Sequence, residues 1–147
     1  MKQRFETFTV LINRISRNIR KIKNQEMSNH HLRSPHISCL YYLYTQAGLT
    51  ATDLCDRCEE DKATISRSLE YLETNGYLVC EDTGPKRYKS HFLLTEKGLA
   101  AGKEIFDKIN MVLDNISDGL TEEERIAFYR SLTIIGNSLD AIADKYE

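Results

Sequence analysis

The sequence predicts a mostly α-helical protein with a small β-hairpin wing: a winged helix-turn-helix domain set between long N- and C-terminal dimerisation helices. Three observations carry this expectation. Residues 50–75 read as two short capped helices around a tight corner. Residues 77–94 read as two short apolar strands around a Gly-Pro turn with a basic tip. Both ends of the chain carry apolar residues at alternating spacings of three and four.

The N-terminal helix shows Phe5, Phe8, Ile12, Ile15, Ile19 and Ile22, an a/d repeat over more than two heptads. Ser34 is then expected to cap a second helix with Pro35 at its first position. Ile37, Leu40 and Leu43, with Tyr41, Tyr42 and Tyr44, fill that helix. Thr50 and Asp53 form a T-x-x-D capping box, and Leu49 and Leu54 have the spacing of a hydrophobic staple. The corner falls at Glu59-Glu60, and Asp61 caps the next helix. There Ile65, Leu69 and Leu72 make one apolar stripe and Gly76 ends the run.

Tyr77-Leu78-Val79-Cys80 reads as a strand, Thr83-Gly84-Pro85 as a turn, and His91-Phe92-Leu93-Leu94 as the return strand. Thr95 caps a long helix striped by Ile105, Ile109, Val112, Ile116 and Leu120. Thr121 and Glu124 form another capping box. The helix it opens carries Phe128, Leu132, Ile135, Leu139, Ile142 and Tyr146. Leaving both terminal seams in water would be costly. They must pack either into an intramolecular bundle or across the two-fold axis of a homodimer.

At 3.6 residues per turn, Ala63, Arg67, Glu70 and Thr74 point away from the apolar stripe, flanked by Thr64 and Ser66. Small and hydroxylated residues around one Arg suit close approach to base edges and phosphates of double-stranded DNA. Arg67 is the leading candidate; its bland alternative is a surface pair with Glu70. Lys62, in the first turn, suits a phosphate, while Thr64 and Ser66 suit either DNA or a local hydrogen bond. Lys86, Arg87 and Lys89 put three positive charges at the hairpin tip, against the alternative of a merely solvated turn.

At this point the segment resembles the DNA-binding domain of the MarR family of bacterial transcription regulators. The matching pieces are Leu49-Thr50, the run from Asp61 to Leu78, the basic wing and the LTEKG of residues 94–98. The resemblance implies a homodimer with interwoven terminal helices and one winged domain per subunit on DNA. It further implies a small-molecule pocket between the dimer helices and the winged domain, which Tyr41 or Tyr44 could line. The family's corner between the two helices usually offers a Gly and an apolar residue; here both positions are Glu.

Net charge is −2, which taken alone argues against a nucleic-acid partner. Residues 1–36 nevertheless hold eight Lys+Arg against two Asp+Glu, whereas residues 96–147 hold six against eleven. Basic charge is thus concentrated at one end and at the wing. No apolar run approaches the roughly 20 residues a membrane helix needs. The first residues lack the pattern of a secretory signal, and four cysteines are too sparse for a disulfide scaffold, so a cytoplasmic setting is expected. Cys55 and Cys58 form a C-x-x-C without a second ligand pair; with Cys39 and Cys80 they are expected to pack as small hydrophobes. His30, His31 and His36 offer a weaker, metal-sensing alternative. No catalytic constellation, phosphate loop or cofactor motif stands out.

The expected organisation is an N-terminal dimerisation helix and linker over 1–33, a DNA-binding domain over 34–95, and completing helices over 96–147. The expected function is a sequence-specific, ligand-responsive repressor acting as a homodimer on a pseudo-palindromic operator, with an unidentified small-molecule effector. A winged-helix protein-interaction module is the alternative, left open by the acidic balance of residues 37–95.

Overall fold

Capping chemistry sets where the helices of this chain begin. The computed structural model describes residues 6–81, 89–116 and 118–146. Phe5, the Thr83-Gly84-Pro85 turn, Lys86 and Arg87 lie outside the described residues. The chain divides into two units, Met1–Lys108 and Ile109–Glu147.

In the first unit a π-wound turn over Glu6–Leu11 leads into helix α1, Ile12–Glu26, which buries none of its residues. Ile12, Ile15, Ile19 and Ile22 stand 40–52% exposed along it. A 3-10 turn over Ser28–His30 and a left-handed His31 carry the chain to helix α2, Ser34–Thr45. The cap of α2 differs by one position from the expectation. Ser34 is already helical, Arg33 occupies the cap, and the Arg33 N–H donates to His36 Nδ1 at 3.0 Å. Ser34 N–H turns instead to Asn24 Oδ1, 2.7 Å away. A side-chain acceptor from the preceding helix has replaced the local cap.

Helix α3 (Ala51–Cys58) opens on the expected capping box. Thr50 Oγ1 accepts from Asp53 N–H at 3.2 Å, and Asp53 Oδ2 accepts from Thr50 N–H at 2.8 Å. Helix α4 (Lys62–Thr74) opens on Asp61, whose Oδ1 accepts from Thr64 N–H at 2.7 Å. Gly76, at φ 77°, turns the chain out of α4.

Strands β1 (Leu78–Cys80) and β2 (Phe92–Leu94) pair antiparallel, with Leu78 opposite Leu94 and Cys80 opposite Phe92. Their faces alternate: Leu78 and Phe92 point inward, Val79 and Leu93 outward. A bridge between Thr50 and His91 joins the hairpin base to the start of α3.

Helix α5 (Glu96–Ile116) follows, with Gly98 N–H donating to the capping Thr95 Oγ1 at 3.1 Å. A Cβ at Gly98 would sit 1.9 Å from the Tyr77 carbonyl oxygen, so α5 approaches β1 only because that position has no side chain. Leu40, Leu54, Ile65, Leu72, Leu78 and Ile105 form the centre of the core, each fully buried.

In the second unit α5 ends at Ile116, so Leu120 falls beyond the helix it was expected to stripe. Helix α6 (Glu122–Ala143) begins on the expected box of Thr121 and Glu124 and buries none of its residues. Phe128, Leu132, Leu139 and Ile142 stand exposed and Ile135 half-exposed. No described helix is long and apolar enough to cross a membrane.

Candidate nucleic-acid interface

Helix α4 has two chemically distinct sides. Ile65, Leu69 and Leu72 face the core, together with Ser68, whose hydroxyl donates to the Thr64 carbonyl at 2.7 Å. That bond is what allows a polar side chain to sit among apolar ones. Lys62, Ala63, Ser66, Arg67, Glu70 and Thr74 lie on the exposed side. The structure therefore brings the expected α4 residues onto one outward face. Thr64 is the partial exception. It is half-buried, and its hydroxyl donates to Asp61 Oδ2 at 3.1 Å while receiving Arg67 Nη2 at 3.4 Å. Arg67 thus leans back toward the helix start rather than forward to Glu70.

Asp61 and Asp53 stabilise the two helix starts as anions. The Thr64 N–H holds the Asp61 carboxyl below its usual range, and the Thr50 N–H does the same for Asp53. Each is a carboxylate at a helix N-terminus, where the unpaired amides favour negative charge. The corner between them requires Glu59 at φ 51°, a left-handed conformation that glycine adopts at lower cost. The Glu in the place of the usual glycine is accommodated, with backbone strain.

A groove of about 620 Å³ runs beside the outward face of α4, lined by Ala51, Thr52 and Cys55 of α3, Lys62, Ala63, Ser66, Leu69 and Glu70 of α4, and Phe92 of β2. Ala51, Thr52 and Cys55 were not expected at this face. Their signal was present in the sequence as one-turn spacing on α3, on the side away from Leu54. Lys89, the described member of the wing cluster, is exposed.

The remaining candidates are distributed by local chemistry. Tyr41 and Tyr44 flank Phe106 of α5, with ring centroids 6.3 and 5.9 Å away. The three histidines separate. His30 Nε2 meets Glu104 Oε2 at 3.1 Å, the His31 carbonyl accepts from Tyr71 Oη at 3.3 Å, and His36 stacks on Tyr71 at 4.4 Å. Burial, then Arg33, pushes the His36 imidazole down from its usual range, consistent with Nδ1 acting as an acceptor. Among the described residues no group of three or more His, Cys, Asp or Glu is placed to hold a metal ion. Of the cysteines, Cys39 alone is fully buried; Cys55, Cys58 and Cys80 are half-buried, a departure from uniform core packing.

Comparison with known proteins follows the same geometry. Residues 32–87 match the family model described as the MarR family. Comparison with curated proteins gave no match. Among solved structures, a MarR family transcriptional regulator from Silicibacter pomeroyi is 26% identical, with a TM-score of 0.74 over 85% of this chain and 84% of that one. A MarR family regulator from Neisseria meningitidis shares the fold at a TM-score of 0.82 and 17% identity, covering 98% of this chain and 99% of that one. The MepR protein of S. aureus, solved as a complex with DNA, shares it at 0.79 and 22% identity, over 90% of this chain and 97% of that one. The capped helix pair, the hairpin and the matched segment together give the chain a winged helix-turn-helix domain similar to that of the MarR family.

Proposed function

We propose that the protein is a homodimeric DNA-binding transcription regulator, with residues 34–95 contacting the duplex and residues 1–33 and 96–147 joining the two protomers. The observation that carries this reading is the outward face of α4. It is backed by a sealed apolar core and bears Lys62, Ser66 and Arg67 in the open. Such a helix can enter a major groove, with Arg67 reaching a guanine edge or a phosphate and Lys62 a phosphate. Ala63 and Glu70 would border those contacts. Lys86, Arg87 and Lys89 would track the backbone or the minor groove beside it. The DNA-bound state of MepR, a protein of the same fold, supports the reading.

The bare seams of α1 and α6 support pairing of two copies. A two-fold axis would present two α4 helices to a pseudo-palindrome, with half-sites about 34 Å apart. In this reading the regulator is a repressor whose grip a small molecule relaxes by changing the separation of the two winged domains. Its entry point would be the aromatic cluster of Tyr41, Tyr44 and Phe106.

Selection of bound duplexes from random-sequence DNA, followed by anisotropy titration at several salt concentrations, tests the proposal. Binding should weaken steeply as salt rises, and Arg67→Ala should cost about 1–3 kcal/mol of specific affinity at unchanged circular dichroism. Recovery of no enriched sequence, or an Arg67→Ala variant that binds like the parent, would overturn it.

A further inference from the structure

The groove between α3 and α4 is walled by small side chains. Ala63 stands on its α4 side and Ala51 on its α3 side, and its exposed lining is mostly apolar. Leu69 and Phe92 also line it, each only 4% exposed, so they form its floor. Arg67 is not part of this lining; its guanidinium turns toward Thr64 and the start of α4. The groove is therefore a separate feature of the same outward face.

Its two ends differ in charge. Lys62 lies in the first turn of α4, and Glu70 follows two turns later, about 12 Å along the axis. Lys62 suits a phosphate, whereas Glu70 repels phosphates, carboxylates and base carbonyl oxygens. An anionic occupant is thus disfavoured along most of the groove, and a carbon surface is left for something apolar. On the major-groove edge of a base pair the apolar group is the C5-methyl of thymine.

We propose that this groove is a subsite for the C5-methyl of a thymine in the bound duplex, so that α3 takes part in reading sequence beside α4. This rests on α4 entering the major groove, as proposed above, and adds the base feature that is recognised there. The alanines set the specificity: their short side chains leave the groove open, and a longer side chain at either position would fill it. Burying one methyl group against carbon is worth roughly a fourfold change in affinity. Each half-site would then contain one thymine that the protein distinguishes from its demethylated counterpart.

The duplex enriched by selection from random-sequence DNA is remade with each thymine replaced singly by deoxyuridine, which removes the methyl and keeps the pairing edge. Anisotropy titration of the full chain should find one thymine per half-site whose replacement weakens binding roughly fourfold. Replacing both should weaken it roughly 15-fold, since distant sites add. Ala51→Leu fills the groove from α3 and Ala63→Leu fills it from α4; circular dichroism checks that each folds. Either variant should bind the thymine and deoxyuridine duplexes within about a factor of two of each other. A parent protein that binds its enriched duplex but tells no thymine from deoxyuridine would overturn the subsite and leave DNA binding standing. Failure to enrich any duplex would overturn both. A fourfold preference retained by the filled variants would put the methyl outside the groove and overturn the subsite.

Discussion

Helices α4 and α6 carry apolar stripes of similar spacing and similar side chains, yet meet different fates. On α4, Ile65, Leu69 and Leu72 are buried against α2, α3 and the hairpin base, while on α6 Phe128 and Leu132 stand 49% and 42% exposed. Helix α1 behaves like α6. Each large apolar side chain left in water forgoes about 1.5–3 kcal/mol of burial. The stripe of α4 is thus satisfied by its own chain, while those of α1 and α6 are suited to a second one. Spacing alone predicts that a face is apolar; the surroundings determine what covers it.

The largest expected effect would break that contrast at the terminal helices. Ile15→Glu combined with Leu132→Glu places charge in both bare seams. In a two-fold dimer each change occurs twice, so the dissociation constant should rise by at least about 100-fold, equivalent to ~3 kcal/mol. Analytical ultracentrifugation would read this as a shift toward monomer, with the winged domain still folded by circular dichroism. A variant that sediments exactly as the parent would refute the assignment of these seams to pairing.

A smaller effect is expected inside the sealed region. Gly98→Ala would drive a methyl into the Tyr77 carbonyl, 1.9 Å away, and force β1 and α5 apart. The expected loss is about 3 kcal/mol in chemical denaturation. Oligomeric state at low denaturant should be unaffected, separating damage to the core from damage to the seams.

The smallest effect sharpens the comparison by strengthening the core. Glu59→Gly relieves a left-handed non-glycine residue at the corner between α3 and α4. Stability should rise by about 1 kcal/mol, read as a higher denaturation midpoint at unchanged slope. An unchanged midpoint would refute the assignment of strain to this corner.

Much of this organisation was legible from residues alone, and the reasons are local. Thr50 with Asp53, Asp61, and Thr121 with Glu124 begin helices because a short side-chain oxygen reaches an amide three residues on, a contact that needs no tertiary context. The outward set on α4 followed from helical period. What escaped prediction depended on distant partners. The start of α2 is displaced because Asn24, ten residues upstream, captures the Ser34 amide. One-turn spacing puts Thr52 and Cys55 on one side of α3, but that this side lines the groove beside α4 follows from how the helices pack, which no spacing within one helix encodes. The histidines looked like a cluster in sequence, yet His30 pairs with Glu104, while Tyr71 meets the His31 carbonyl and the stacked His36 ring.

The missing side chain at Gly98 has a consequence for the wing. Tyr77 leads directly into β1, and its carbonyl accepts from the Thr95 N–H at 3.0 Å, so the first strand and the start of α5 are held at a single point. The hairpin base is therefore anchored to the first turn of α5. A side chain at position 98 would therefore loosen the first strand and the start of α5 together.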